Sequence, residues 1–270
     1  MIKLIASDLD GTLLQNGAQA LTPRTVPLIL RLAECGIIFA AASGRQYPNL
    51  VRLFGAAAAR MAFLCENGAF VVYRGRTVEK SEMDPQNTAA LIADILAQDD
   101  CEVLISGEST SYILPKNKDF FDHMQNTVKN NVRIISALAD IPEEIIKVSA
   151  YRRAGIAQTA PYFISRWEGS FKCTVSGFQW IDFVHGSVNK GAALASLLAS
   201  LKIKPDEAAA FGDNYNDLEM LSFVGSGFVM ENAAPEIYCR YPLKARCVED
   251  TLERFYDRRM RNPMTPIGGC

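Results

Sequence analysis

The chain has 270 residues, of which 49% are hydrophobic, enough for the core of one large domain or two smaller ones. Its 28 basic and 30 acidic residues give a net charge of −2, which excludes the global positive field that would hold nucleic acid or an anionic membrane surface. We therefore expect a small molecule as the partner.

No stretch of the sequence predicts a membrane helix, because charged residues interrupt every apolar run before it reaches about 18 residues. The sequence reaches Asp8 and Asp10 almost at once, which leaves no room for a secretion signal. The seven cysteines are scattered and form no Cys-x-x-Cys pair, a pattern typical of reduced thiols. We therefore expect a cytoplasmic protein.

Short apolar runs alternate with helical patterns along the first part of the chain. The patterns predict a strand over 2–7, a helix over 23–35 with Thr22 as the candidate N-cap, strands over 37–42 and 63–65, and a hairpin over 69–80. Strands separated by helices predict a parallel sheet in an α/β fold.

The pattern changes at residue 84 and changes back after residue 185. The middle segment predicts helices over 85–98, 118–129 and 158–167, and strands over 101–106, 111–114, 132–135, 145–152, 171–175 and 180–184. The first pattern then resumes with helices over 191–201, 217–222 and 251–261, strands over 207–211 and 227–230, and a mobile tail over 262–270. We therefore predict a Rossmann-like parallel sheet core with helices on both faces, formed by residues 1–83 and 186–270, and an inserted α+β domain over 84–185.

Four short polar clusters follow predicted strands or begin predicted helices, at the edge where parallel sheets bind ligands. In the first, Asp8-Leu9-Asp10-Gly11-Thr12, two carboxylates two positions apart point to one side of the strand, and Gly11 permits a tight turn. They could share a divalent cation, or divide nucleophilic and acid–base roles. An acidic turn is the alternative reading. An EF-hand calcium loop is disfavoured because its sixth position is Leu13 instead of Gly.

The other three clusters carry groups suited to phosphate and to a hard cation. Ser43-Gly44-Arg45 offers a hydroxyl and backbone N–H groups to an anion, although Ser is also an ordinary N-cap. Asn189-Lys190-Gly191 offers a cation at a helix start, where most lysines are merely solvated. The segment 212–217, Gly-Asp-Asn-Tyr-Asn-Asp, offers carboxylates and amides to magnesium, with a polar turn as the alternative.

In this order the four clusters resemble the motifs of the haloacid dehalogenase superfamily, and within it the chain resembles the Cof-type phosphatases. Glu66-Asn67-Gly68-Ala69 and Met230-Glu231-Asn232-Ala233 are similar to recurrent segments of that group, and residues 84–185 have the size of its large cap domain. One departure is Gly186-Ser187-Val188, where the family usually has Gly-Val before the lysine motif. The resemblance covers nearly the full length of the chain.

The resemblance implies magnesium-dependent hydrolysis of a small phosphorylated metabolite. Asp8 would attack phosphorus and form an aspartyl-phosphate, and Asp10 would protonate the leaving group and then take a proton from water. Magnesium would be bound by the carboxylates of Asp8 and Asp213 and by the backbone carbonyl of Asp10. Behind these ligands, Asp217 would contact metal-bound waters or Lys190. The groups implied to hold phosphoryl oxygens are the N–H groups of Leu9 and Gly44 and the side chains of Ser43, Lys190 and Asn216.

The cap would shield the site from water and contact the leaving group. Candidates to face that cleft are Arg45, Asn67, Lys147, Trp180 and Asp182, whereas His123 and His185 show no partner pattern that suggests catalysis. Sugar phosphates are the first expectation for the substrate, followed by nucleotide or coenzyme phosphates.

Two other functions stay open on the sequence. One is a phosphomutase on the same fold, and the other is a non-catalytic phosphosugar-binding regulator, a role that would tolerate loss of Asp8 or Asp10. The oligomeric state does not follow from the sequence.

Overall fold

The protein forms two β-sheets with helices packed around them, as seen in a computed structural model that describes residues 1–128 and 130–261. The strands are β1 (Leu4–Asp8), β2 (Ile38–Ala42), β3 (Ala62–Cys65), β4 (Phe70–Tyr73), β5 (Arg76–Lys80), β6 (Cys101–Ser106), β7 (Ser111–Ile113), β8 (Val132–Ile134), β9 (Lys147–Arg152), β10 (Lys172–Val175), β11 (Trp180–Val184), β12 (Ala208–Gly212), β13 (Ser226–Met230) and β14 (Leu243–Ala245). The α-helices are α1 (Thr25–Glu34), α2 (Tyr47–Phe54), α3 (Pro85–Ala97), α4 (Lys118–His123), α5 (Ala160–Trp167), α6 (Lys190–Ser200), α7 (Leu218–Phe223), α8 (Pro235–Tyr238) and α9 (Val248–Arg261).

The first sheet has eight strands in the order β14-β13-β12-β1-β2-β3-β4-β5, and its pairings are parallel except for β3 with β4 and β4 with β5. Its central strands are buried on both faces, so successive side chains enter two different cores. Ile5 packs into the core that includes α1, α2 and α9, whereas Leu4 and Ala6 pack against α6 and α7. Burial on both faces explains why these strands are apolar throughout. The predicted Rossmann-like sheet with helices on both faces is confirmed.

The second sheet is formed by residues between β5 and α6, in the order β10-β11-β9-β6-β7-β8. Its pairings are antiparallel except for β7 with β8. Alternate residues of β6 enter different environments: Val103 and Ile105 pack with α3 and α5, whereas Leu104 belongs to a small cluster with α4 on the opposite face. This second face, with α4 beside it, borders the cavity described below.

Several element boundaries and short elements differ from the sequence predictions. The N-cap prediction for Thr22 is wrong, because α1 begins at Thr25 and the Thr22 hydroxyl donates to Glu249 at the start of α9. Helix α4 ends at His123 and continues as a π-type turn over Met124–Val128, while Lys129 and the predicted mobile tail lie outside the described residues. The short elements α2, α8 and β14 were not predicted. Each is short enough that packing against the rest of the fold, rather than a long periodic pattern, decides its formation.

No helix among the described residues is long and apolar enough to cross a membrane. Six cysteines lie in the described part of the chain, and all six are free thiols.

Candidate active site

The four polar clusters meet at one edge of the first sheet. β1 lies between β12 and β2, all three run parallel, and their carboxyl ends therefore share an edge. Asp8 is the last residue of β1, Ser43 follows β2, and Asp213 follows β12. Strand order thus places side chains from distant parts of the sequence around one point.

Lys190 supplies a buried cation beneath this edge, with only 1% of its side chain exposed. Its Nζ donates to Asp8 Oδ1 at 2.5 Å and to Asp217 Oδ1 at 2.7 Å. Asn189 caps α6 by accepting a hydrogen bond from the Ala192 N–H, which fixes the start of the helix where Lys190 stands. Lys190 is therefore a positioned ammonium between two carboxylates and not a solvated helix-start residue.

Asp8, Asp213 and Asp217 form a cluster in which one carboxylate oxygen of each lies within 4.8 Å of the others. With Lys190 as the buried cation between them, three ionised carboxylates would leave two negative charges without a partner in the cluster. Hard oxygen donors at this spacing suit a divalent cation such as Mg²⁺. Asp217 is already committed to protein donors, because its Oδ2 accepts the N–H groups of Asp213 and Asn214, both at 3.1 Å. The residues present therefore fit a metal ion held by Asp8 and Asp213, with Asp217 behind them.

The Asp213 carboxylate is held by residues to which the sequence pattern assigned no role. Thr12 Oγ1 donates to Asp213 Oδ1 at 2.6 Å, and Asn232 Nδ2 lies 3.4 Å from Oδ2. Gly11 passes directly beside this carboxylate with φ of +96°, and a Cβ there would lie 2.3 Å from Asp213 Oδ2. Only glycine fits this position. Thr12 and Asn232 both lie inside motifs recognised in the sequence, and membership of those motifs is the one sequence feature that could have pointed to a role for them.

Asp10 is paired with Arg45 at the entrance to the site. Arg45 donates from Nη2 to Asp10 Oδ1 at 2.6 Å and from Nε to Oδ2 at 3.1 Å, and 58% of the Asp10 side chain is exposed. This bidentate pair occupies both oxygens of the Asp10 carboxylate. An acid role for Asp10 therefore requires that the pair with Arg45 open when a substrate enters.

The residues predicted to hold phosphate lie around Asp8. The Leu9 carbonyl accepts hydrogen bonds from the N–H groups of Thr12 (3.1 Å) and Leu14 (2.7 Å), which closes the turn after β1. Buried Ser43 accepts from the Asn67 N–H at its carbonyl, at 2.9 Å, and the Asn67 side chain accepts from Asn216 Nδ2 at 3.3 Å. Asn67 thus connects the Ser43-Gly44 turn with Asn216.

A cavity of about 1270 Å³ opens above Asp8, between the carboxyl edge of the first sheet and the second sheet. Among its lining residues are predicted site residues of the first sheet's edge, namely Asp8, Asp10, Ser43, Gly44 and Asn216. The five residues expected to face the cleft also line it, namely Arg45, Asn67, Lys147, Trp180 and Asp182. The two histidines contact near neighbours, His123 the ring of Tyr151 and His185 the hydroxyl of Ser187.

A buried ion pair joins the two sheets inside this cavity. Lys147 of β9 contacts Glu66, which follows β3, and both side chains are less than a tenth exposed. Glu66 has φ of +51° and Asn67 has φ of +57°, so the turn holds two successive residues in the left-handed region, where residues other than glycine are uncommon. Glu66 lies within a segment similar to one of the family, but nothing in the local sequence predicts Lys147 as its partner.

Burial and charge shift the titration of the cluster. Burial raises the pKa of Asp8 from its ordinary 3.8 to about 7, against the opposing effect of Lys190, and the charges of Asp217 and Asp213 add to the rise. Burial likewise raises the pKa of Asp213. For Lys190, burial opposes the charge, but Asp8 and Asp217 outweigh it and raise the pKa, so the ammonium stays protonated at neutral pH.

A model of the haloacid dehalogenase-like hydrolases matches residues 5–240. This chain belongs to that family. The resemblance drawn from the four motifs is therefore confirmed, and so is the prediction that the chain is an enzyme of the phosphatase type.

Relatives with similarity over most of the chain carry phosphatase names. The 5-amino-6-(5-phospho-D-ribitylamino)uracil phosphatase of Escherichia coli is 28% identical over 237 residues, which cover 87% of this chain and 88% of that protein. The HMP-PP phosphatase of Serratia proteamaculans is 25% identical over 279 aligned residues, which cover 97% of each chain. A crystal structure from Eubacterium rectale superposes with a TM-score of 0.83 at 26% identity and covers 94% of this chain and 99% of that chain. The similarity therefore extends over both sheets.

The carboxylate cluster predicts that Asp8→Asn stabilises the metal-free protein, and increasingly so at higher pH. Because the pKa of Asp8 is raised on folding, this carboxyl costs the native state stability as the pH rises from about 4 to about 7, whereas the amide does not titrate. We expect the variant to gain about 1–3 kcal/mol on the wild type between about pH 5 and pH 8, measured by urea unfolding in chelator. Asp99→Asn, at an exposed position between α3 and β6, is the control. A difference in unfolding free energy between variant and wild type that stays constant with pH would mean that Lys190 fully compensates the Asp8 charge.

Proposed function

We propose that this protein hydrolyses a phosphate monoester of a small metabolite, with magnesium as cofactor and an aspartyl-phosphate on Asp8 as intermediate. The observation that carries the proposal is the Asp8 carboxylate itself. It is buried at the floor of a large cavity, fixed by Lys190 on one oxygen, and placed beside two further carboxylates. A nucleophile, a fixed cation and a hard-cation site at one point are the parts that phosphoryl transfer requires.

In the first step, an Asp8 carboxylate oxygen would form a bond to phosphorus as the bond from phosphorus to the ester oxygen breaks. Asp10, released from Arg45, would give the departing alkoxide its proton. In the second step, water would attack the same phosphorus and lose a proton to Asp10, which frees inorganic phosphate and regenerates Asp8. The Ser43 hydroxyl, the Leu9 and Gly44 N–H groups, Lys190 and Asn216 would hold the phosphoryl oxygens in both steps.

The carboxylates of Asp8 and Asp213 and the backbone carbonyl of Asp10 would hold the magnesium ion. Asp217 would orient Lys190 and the loop that carries Asp213, because it accepts hydrogen bonds from Lys190 and from the N–H groups of Asp213 and Asn214. When bound, the ion would neutralise charge on the transferring phosphoryl group. It would also balance the negative charge that Lys190 leaves unmatched in the cluster.

The presence of two separate sheets supports two domains with different roles, one catalytic and one in contact with the substrate. We propose that residues 1–83 and 186–270 form the catalytic core and that residues 84–185 form a cap that contacts the leaving group. The two named relatives are called phosphatases of small phosphorylated compounds, which supports a substrate of that class here. A reaction on such metabolites and six free thiols are consistent with a cytoplasmic location.

Asp8→Asn is expected to lower turnover by more than about a hundredfold, because the amide keeps the shape of the side chain and removes the nucleophile. Phosphate release from a panel of esters measures the loss of turnover. Trapping of an acid-stable, hydroxylamine-sensitive phosphate label on the protein measures the loss of the aspartyl-phosphate. Asp99→Asn is again the matched control. Activity above about one hundredth of the wild type would exclude Asp8 as the nucleophile. Transfer of phosphate to a second sugar hydroxyl without free phosphate would favour a mutase instead.

Asp213→Ala is expected to raise the magnesium concentration needed for half-maximal rate by about tenfold or more, because it removes an anionic ligand. Magnesium titrations of the rate measure the shift, and chelator should silence the wild type. Asp257→Ala, on the exposed side of α9, should leave the titration where it is. Wild-type activity that survives chelation and exchange into metal-free buffer would contradict the metal assignment.

A further inference from the structure

The second sheet presents an ordered wall to the cavity. Thr174 pairs with Asp182, Asp182 with Ser149, and Ser149 with Leu104, so one row crosses β10, β11, β9 and β6. All four side chains line the cavity. Because side chains on one face of a sheet lie in such rows, this row is a continuous strip of the wall.

Trp180 and Lys147 stand on the same wall, on opposite sides of that row. Trp180 is two residues before Asp182 on β11 and rests on Tyr151, its cross-strand partner, with ring centroids 4.7 Å apart. Lys147 pairs with Val184, and Val184 packs into the core of the first sheet, so this end of the wall lies nearest Asp8. Trp180 therefore lies farther from Asp8 than Asp182 does, by about 7 Å along the strand.

The polar groups of the wall offer an acceptor more than a cation. Lys147 is matched by Glu66 and lies 4.0 Å from Asp182 Oδ2, so its charge is already compensated by two carboxylates. Asp182 accepts the Ser149 hydroxyl on Oδ1 at 2.6 Å, which leaves Oδ2 with room for a further donor from the cavity. Among the described residues of this wall, a second phosphate or carboxylate on the substrate would meet no uncompensated cation.

The apolar part of the wall lies around Trp180. Leu104, Met124 and Val128 line the cavity there, and Trp180 belongs to the same small cluster. The indole ring of Trp180 packs against the tilted ring of Tyr151, at an interplanar angle of 51°, and its flat surface at the cavity suits a flat ring. A saturated sugar could present only its puckered C–H face to that surface, whereas a flat unsaturated ring can lie on it with its whole face.

We propose that Trp180 and Asp182 select the leaving group, which is an unsaturated ring that stacks on Trp180 and carries an N–H or O–H donor for Asp182. The proposal rests on the phosphatase function proposed above and adds its substrate class: monophosphate esters of amino- or hydroxyl-bearing aromatic or heteroaromatic alcohols. Ser149 and Lys147 orient the Asp182 carboxylate and are positioning residues.

The test compares kcat/KM for four esters. Pyridoxamine 5′-phosphate and 3-aminobenzyl phosphate carry a ring and a donor, benzyl phosphate carries a ring alone, and glucose 6-phosphate carries donors without an unsaturated ring. The wild type should prefer the first two. Asp182→Asn should lower the ratio of 3-aminobenzyl to benzyl phosphate by about tenfold or more, because the amide loses the charged acceptor. Trp180→Leu should lower all three ring esters by about tenfold or more relative to glucose 6-phosphate.

Matched controls separate recognition from folding. Trp180→Phe keeps a ring and should recover most of the preference that Trp180→Leu loses. Phe178→Leu removes an exposed aromatic ring from the turn between β10 and β11, and Asp119→Asn removes an exposed carboxylate from α4. Both should leave the ester ratios within about threefold of the wild type. Thermal unfolding of each variant identifies any loss that comes from instability.

A readout without turnover completes the test. In the Asp8→Asn protein, pyridoxamine 5′-phosphate should bind and quench Trp180 fluorescence, and the quenching should weaken in Asp8→Asn with Asp182→Asn. A wild-type preference for glucose 6-phosphate would contradict the proposed recognition site, and so would equal losses of kcat/KM on all esters in Trp180→Leu and Asp182→Asn. Neither result would contradict the proposed phosphatase function. No phosphate release from any ester and no labelling of Asp8 would overturn the phosphatase and this inference together.

Discussion

The buried ammonium of Lys190 is the interaction on which the site depends. It joins Asp8, at the end of β1, to Asp217, after β12, in a region where unpaired charges are costly. Asp217 passes this constraint on to the next loop, because its other oxygen accepts the N–H groups of Asp213 and Asn214. The position of one cation therefore sets the geometry of two loops that are about 200 residues apart in sequence from each other.

A consequence is that the site is poorly balanced without a metal ion. Three carboxylates converge where only one buried ammonium lies among them, and burial raises the pKa of Asp8 to about 7. Folding thus maintains a destabilised cluster whose charge a divalent cation can balance. Such a conflict between local stability and function is expected where catalytic groups are concentrated.

The second sheet is tied to the first sheet through the turn at Glu66 and Asn67. Glu66 contacts Lys147 of the second sheet, while Asn67 contacts the Ser43 carbonyl and the Asn216 side chain. Two adjacent residues therefore touch both the second sheet and the loops that surround Asp8. Their left-handed backbone conformation is a local cost that these contacts offset.

The sequence alone determined the fold class and the family, because both are encoded in local patterns. Apolar runs buried on both faces predicted the parallel strands, and short motifs marked Asp8, Asp10, Lys190 and Asp213. It did not reveal α2 or β14, which are too short to show a periodic pattern, and it misplaced the cap of α1 because Thr22 pairs with distant Glu249. The partners of the motif residues were equally hidden: Thr12 and Asn232 on Asp213, Arg45 on Asp10, and Lys147 on Glu66. These contacts join residues far apart in the chain, and only strand order and register bring them together.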